Sequence, residues 1–268
     1  MDERPIGMFD SGFGGLTVAR ALIDLLPAEH LVYVGDTGRY PYGPRPLDEV
    51  RAFAHEITAR LVDEHGVKLV IVACNTAAAA ALAELQAEFT VPVVGVIQPG
   101  VHSLARATHS GRVGVIGTVG TIGSGAYQQA VAELAPSLDL TCAACPGFVE
   151  FVERGETRSD QVAVLAERLL APLRDAKVDA LLLGCTHYPF LARTISDAIG
   201  RDVVLVSSAD ETAFEVRRQL EGTDLARDPA RGEGTRTWLS SGDVEWFREL
   251  GHQLLGPELD RAAAISWD

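Results

Sequence analysis

The chain has 268 residues, of which 23 are basic and 37 acidic, for a net charge of −14. That length can bury a sizeable core as one large or two small domains. The acidic balance argues against nonspecific nucleic-acid or anionic-membrane binding, although helix N-termini could still hold an anionic substrate.

No apolar run reaches the roughly 18 residues of a membrane helix. The start MDERPIGMF has no apolar region of the signal-peptide kind. Four cysteines in a chain of this size fit a reduced cytoplasm better than a disulfide scaffold.

The pattern predicts a first strand over residues 5–9 and a tight turn at Asp10-Ser11-Gly12-Phe13-Gly14-Gly15. An amphipathic helix follows from Leu16 to Leu26, then a strand from Leu31 to Val34. Residues 38–46 carry three prolines and two glycines, so they read as a fixed non-helical loop. A helix is expected from Leu47 to Glu64. Val70 to Ala73 is an apolar, β-branched run, as in a strand buried on both faces. The Ala/Leu/Glu run after it is a strong helix former. Cys74, Asn75 and Thr76 sit on the turn between them, where α/β sheets present chemistry. A thiol there faces the positive end of the new helix, which favours thiolate.

Val93 to Ile97 reads as a strand, and Gln98-Pro99-Gly100 as a break and a domain crossing. A helix is expected over 101–108, a strand over 112–116, a Gly/Thr-rich turn over 117–125 and a helix over 127–135. A strand over 138–144, a short helix over 148–154 and a helix over 161–176 follow. Residues 178–190 read VDALLLGCTHYPF, again an apolar run that ends in a cysteine. A strand over 203–206, a second crossing at Ser207-Ser208, a helix over 213–221, a strand over 235–240 and a closing helix over 244–255 complete the pass. Strand–helix alternation throughout argues α/β with parallel sheets.

Two stretches repeat. Residues 68–76 align with residues 179–187 at an offset of 111 (185 minus 74), and residues 6–12 align with 113–119 at an offset of 107 (113 minus 6). Matched echoes predict two pseudo-symmetric α/β lobes, 1–97 plus 208–268 and 98–207. Each would be a mainly parallel sheet flanked by helices, with the active site in the cleft between them. The repeat also separates the cysteines from the bland reading of a thiol as inert packing after a buried strand.

Asp10 has two open readings, a helix N-cap or a functional acid. Gly12-Phe13-Gly14-Gly15 falls short of a dinucleotide fingerprint and reads as a turn with an anion-binding helix start. Tyr42 could be loop packing, and His187 alone a surface residue. Cys142 and Cys145 form a CxxC, which could be a redox pair or half a zinc site. No second pair stands at finger spacing, and buried packing is the better reading.

Five motifs in order carry a family resemblance. They are Phe9-Asp10-Ser11-Gly12-Phe13-Gly14-Gly15-Leu16-Thr17, Gly35-Asp36 with Pro41-Tyr42-Gly43, Ala73-Cys74-Asn75-Thr76-Ala77, Ile116-Gly117-Thr118 with Thr121-Ile122, and Leu183-Gly184-Cys185-Thr186-His187-Tyr188-Pro189. With these, nearly the whole chain resembles the glutamate racemases of the aspartate/glutamate racemase superfamily. The resemblance implies a cytoplasmic, cofactor-independent enzyme that interconverts L- and D-glutamate and supplies D-glutamate for peptidoglycan. It implies Cys74 and Cys185 as the proton-transfer residues. It further implies that Asp10, Ser11, Tyr42, Gly43, Asn75, Thr76, Thr118, Thr186 and His187 contact substrate or assist the thiols. Glu153 matches a further acidic residue, although Gly147 and Glu150 stand where the family often has a large apolar residue and a proline. A homodimer is implied too, with no metal, nucleic acid or membrane partner. The alternatives are a racemase of another acidic amino acid, such as aspartate, and a secondary non-enzymatic role as a DNA gyrase inhibitor.

The chemistry suits these residues. Racemisation removes the Cα proton from one face and returns one to the other, so two fixed bases, one thiolate and one thiol, suffice. The carbanion needs donors around the α-carboxylate, which helix-start N–H groups and Ser/Thr hydroxyls supply. No arginine lies within the five motifs, so no arginine clamp is expected.

Overall fold

The computed structural model describes residues 1–267; Asp268, the last residue of the first lobe as drawn from the sequence, lies outside the described residues. The strands are β1 Ile6–Asp10, β2 Leu31–Gly35, β3 Leu69–Val72, β4 Val93–Gly95, β5 Arg112–Gly117, β6 Asp139–Ala144, β7 Ala180–Gly184, β8 Val204–Val206, β9 Arg236–Ser240 and β10 Ala263–Ala264. The helices are α1 Leu16–Leu25, α2 Leu47–Asp63, α3 Asn75–Glu88, α4 Ile97–Ala107, α5 Val119–Gly123, α6 Ala126–Leu134, α7 Phe148–Glu153, α8 Asp160–Leu169, α9 Ala171–Asp175, α10 Ala192–Ile199, α11 Ala209–Gly222 and α12 Val244–Leu255. The chain is an α/β protein of two compact units, Met1–Val96 with Ala209–Asp268, and Ile97–Ser208.

The first unit holds a six-stranded sheet in the order β10-β9-β2-β1-β3-β4, and the second a four-stranded sheet in the order β6-β5-β7-β8. Every pairing in both is parallel. β1, β2, β3 and β7 are buried along their whole length, which is why they read as apolar runs without alternation. The two echoes are a pair of neighbouring strands in each sheet, β1 with β3 and β5 with β7. Ile6 pairs with Leu69 and Gly7 with Val70, as Val113 pairs with Ala180 and Gly114 with Leu181. The offsets of 107 and 111 carry one register onto the other without a slip.

Several expectations change. Gln98-Pro99-Gly100 is not a break: β4 ends at Gly95, and α4 begins at Ile97 and runs through the three residues. Pro99 falls in the first turn, where its missing N–H has no helical partner to lose. The helix expected over 161–176 is two helices, because Pro172 cannot donate to the carbonyl four residues back. Leu170 closes α8 and caps α9. The turn over 117–125 contains α5, N-capped by Thr118. Residues 188–191 are a 3-10 turn before α10, and α11 starts at Ala209, four residues earlier than expected, with Asp210 and Glu211 in its first turn. β10 had no signal in the sequence. No helix among the described residues is long and apolar enough to cross a membrane.

Candidate active site

In the first unit β1 and β3 are neighbours, so their carboxyl ends bring Asp10 and Ser11 beside Cys74. The Cys74 sulfur lies 3.8 Å from the Ser11 hydroxyl oxygen, and the Ala77 and Ser11 amides donate to it. Asn75 and Thr76, both buried, open α3 directly after it. Asp10 is fully buried and accepts the Gly12 N–H at 2.9 Å. The residue at the N-cap of α1 is Gly15, not Asp10, so the capping reading of Asp10 does not hold. A Cβ on Gly15 would come within 2.6 Å of the Asp10 Cβ and 2.8 Å of the Tyr33 hydroxyl, which leaves room for glycine alone. Tyr33 in turn donates to the Gly12 carbonyl at 3.0 Å and pins the turn from below.

Burial, and then the Asp10 charge, push the Cys74 thiol up to about 11, while the Ala77 and Ser11 donors pull it down. The helix start does favour thiolate, as the sequence suggests, but loses to desolvation and a neighbouring carboxylate. At rest Cys74 is a thiol.

Tyr42 is buried and its hydroxyl donates to Asp36 Oδ2. The side chain is thus engaged with Asp36, and what Tyr42-Gly43 can offer a ligand is main chain. Arg39 donates from Nε to Asp36 at 2.7 Å and from Nη1 to Glu56.

In the second unit β5 and β7 are neighbours. Thr118 follows β5 and Cys185 follows β7. The Thr118 hydroxyl oxygen accepts the Thr121 N–H at 3.1 Å. The Cys185 sulfur lies 3.9 Å from His187 Nδ1, and His187 Nε2 lies 3.6 Å from Glu153 Oε1. His187 and Thr186 are both buried, so the reading of His187 as a surface residue fails. Glu153 ends α7, whose N-cap Gly147 has φ +92°. That left-handed residue turns the chain into α7. The departure at Gly147 therefore accompanies a Glu153 that still reaches His187. The Tyr188 hydroxyl donates to the Cys145 carbonyl at 3.1 Å, which Tyr33 parallels in the first unit.

The offsets make Cys74 equivalent to Cys185 and Ser11 equivalent to Thr118. Asp10 falls opposite Gly117, and Thr76 opposite His187. Each unit thus carries a thiol and a hydroxyl at matching strand ends, but the accessory group differs. It comes from the end of β1 in one unit and from His187 with Glu153 in the other.

Cys142 and Cys145 are free thiols. Burial pushes them up to about 11 and about 12, which suits packing rather than redox exchange. Among the described residues no cluster of three or more His, Cys, Asp or Glu is placed to hold a metal ion. Sequence reasoning missed Tyr33 and Tyr188, which lie in apolar strand and turn patterns without a polar signature. It also missed Ser241 and Trp267, which reach Asp36 from more than 200 residues away.

Known proteins resemble this chain in sequence and fold. A family described as Asp/Glu/Hydantoin racemase matches residues 6–215. A glutamate racemase of Beutenbergia cavernae is 53% identical over 271 residues, covering 97% of this chain and 92% of that protein. The crystal structure of a glutamate racemase isoform from Bacillus anthracis superposes with a TM-score of 0.92 at 39% identity, covering 100% of this chain and 98% of the other. That of a Thermus thermophilus glutamate racemase, in complex with β-chloro-D-alanine, gives 0.86 at 43% identity, with 99% and 98% covered. The chain belongs to the glutamate racemase family, a group of isomerases within the Asp/Glu/Hydantoin racemases.

Proposed function

We propose that the protein interconverts L- and D-glutamate without a cofactor, with Cys74 and Cys185 as the two proton-transfer groups, one for each face of Cα. The observation that carries this reading is the pair of buried thiols at equivalent strand ends, each beside its own acid–base group.

In one direction a thiolate takes the Cα proton and the opposing thiol returns one; in the other the roles exchange. Because Cys74 rests as a thiol, its use as a base depends on the bound substrate. The substrate ammonium is a positive charge that offsets Asp10 and lowers the thiol toward neutrality. His187, 3.9 Å from Cys185, is placed to exchange a proton with the thiol, and Glu153 stands 3.6 Å from its other ring nitrogen. Negative charge developing on the α-carboxylate is met by the N–H groups that open α3 and by the hydroxyls of Ser11, Thr76, Thr118 and Thr186. Arg39 is already bound to Asp36 and Glu56, which supports a grip made of amides and hydroxyls. Membership of the family extends the proposal to a cytoplasmic role in supplying D-glutamate for peptidoglycan.

The test is circular dichroism at one wavelength, with purified protein and either glutamate enantiomer. The signal should decay to zero from both sides without added metal or cofactor. Decay with aspartate at an equal or higher kcat/KM would assign the enzyme to the other acidic amino acid instead.

A further inference from the structure

The Asp36 carboxylate is fully buried and sits at the centre of unusually remote contacts. Oδ2 accepts from Arg39 Nε at 2.7 Å and from the Tyr42 hydroxyl. Oδ1 accepts from the Ser241 hydroxyl at 2.6 Å and from Trp267 Nε1 at 2.8 Å. Two of the donors belong to the loop that carries Tyr42 and Gly43. The other two come from the far end of the sequence.

The Trp267 ring does a second thing. The Arg39 guanidinium carbon lies 4.3 Å from its centroid and 4.1 Å from the Phe53 centroid, so the cation is held between two aromatic faces. Phe53 also packs on Tyr42, with ring centroids 5.5 Å apart. The segment that delivers Trp267 is tied down. Ala263 and Ala264 pair with Leu239 and Ser240 in β10 and β9, and the Ile265 N–H donates to the Ser240 carbonyl at 2.9 Å.

We propose that Trp267 is a positioning residue for substrate binding: by donating to Asp36 and covering Arg39, it fixes the Tyr42–Gly43 main chain, which the family resemblance assigns to substrate. A buried carboxylate with four donors has all its lone-pair sites engaged. Removing one donor leaves the others free to reorient, and two of them, Arg39 and Tyr42, belong to the loop that carries Gly43. Among the described residues Trp267 makes its hydrogen bond to Asp36 and its ring contacts to Arg39 and Arg60, away from both thiols, so the chemical step is not its task. The kinetic part of this inference rests on the glutamate racemase reading; the positioning part does not.

The experiment compares the full-length protein with Trp267→Ala and Trp267→Phe. Phenylalanine keeps a ring over Arg39 but removes the N–H donor. Amide hydrogen exchange over residues 37–46 and glutamate racemisation are measured on all three. In Trp267→Ala, exchange over 37–46 should speed up while β1 and β3 stay protected. KM should rise about 5–10-fold with kcat held within about 2-fold, as for loss of a bond to a charged group that acts on binding alone. Trp267→Phe should fall between the two, and carries the test by itself if the alanine variant does not fold. Unchanged exchange together with unchanged KM overturns the proposal, and so does a fall in kcat at constant KM. If the wild-type protein does not racemise glutamate, the functional reading fails, and exchange over 37–46 alone then decides whether Trp267 positions the loop.

Discussion

His187 places its Nε2 3.6 Å from Glu153 Oε1 while its Nδ1 faces the Cys185 sulfur at 3.9 Å. A carboxylate, an imidazole and a thiol thus stand in line in the second unit. In the first unit the carboxylate of Asp10 acts on its thiol without an intermediary. The two halves of a repeated fold set different groups beside their cysteines, and that asymmetry is open to measurement.

Glu153→Gln removes the carboxylate that faces His187 Nε2. The two glutamates are equal in free energy, so kcat/KM in the two directions must fall by the same factor in any variant, and racemisation cannot show which face is affected. A β-chloro-glutamate can show it, because chloride leaves once the Cα proton is removed and no reprotonation is needed. Elimination from the L-probe, which the family resemblance assigns to Cys185, should slow by about 10–100-fold, within the range for general acid–base groups. Elimination from the D-probe should stay within about 3-fold. Equal slowing on both probes would show that Glu153 acts on the whole site.

The same probes separate the thiols. Cys185→Ser and Cys74→Ser should each lose racemisation of both glutamates, by on the order of 10²–10⁴-fold or more. Cys185→Ser should retain elimination on the D-probe, and Cys74→Ser on the L-probe. Chloride release from both enantiomers by either variant would refute one base per face.

Alkylation measures the state of Cys74 directly. With its thiol up to about 11, iodoacetamide should modify Cys74 slowly at pH 7 in a Cys185→Ser background, with a rate still rising past pH 10. Asp10→Asn removes the second-largest cause of that shift, so its rate profile should move to lower pH. Stability has the opposite sign. A thiol raised in the folded state binds its proton more tightly there than in the unfolded chain, so stability is intact below about 9.0, the ordinary value, and is lost as pH rises toward 11. Cys142 and Cys145 are raised in the same direction. Urea midpoints should therefore fall between pH 9 and 11. An unchanged midpoint there would mean that the thiols ionise in the folded protein as readily as in water.

Lys68 and Glu29 form a buried pair, Nζ to Oε2 at 2.6 Å, with Lys68 1% and Glu29 5% exposed. Lys68→Met leaves a buried carboxylate without its cation and should cost about 3–5 kcal/mol in urea unfolding. Adding Glu29→Gln removes that charge while keeping an acceptor for the Arg227 N–H, bound at 2.8 Å, and should recover most of the loss. A double variant no more stable than the single one would place the cost in lost packing of the lysine stem.

Much of this was legible in the residues alone. Val70 to Ala73 and Ala180 to Gly184 are apolar on every position, which only a strand covered on both faces tolerates. The cysteines that close these runs could be set at sheet edges, and the offsets 107 and 111 already contained the shared register. Local chemistry misled where one residue carries two meanings. Pro99 and Pro172 both lie in the first turn of a helix, yet the linear pattern reads the first as a break before a helix and the second as the inside of one. A proline marks a place where the helical ladder cannot continue from the preceding turn, and a linear pattern does not specify whether a helix starts there. The ionisation of Cys74 was equally out of reach. A helix start is visible in sequence, whereas burial and the approach of Asp10 arise only when β1 lies against β3. The cluster at Asp36 is the clearest case: Ser241 and Trp267 are 205 and 231 residues from it, and nothing in their neighbourhoods marks them. Sequence determined most of the segments that become strands and helices and singled out the side chains proposed for the chemistry, because those follow from periodicity and residue type. Tertiary structure alone decided the protonation of Cys74, the link from Glu153 through His187 to Cys185 and the hold on the Tyr42 loop, because desolvation and through-space contacts exist only between segments that folding has brought together.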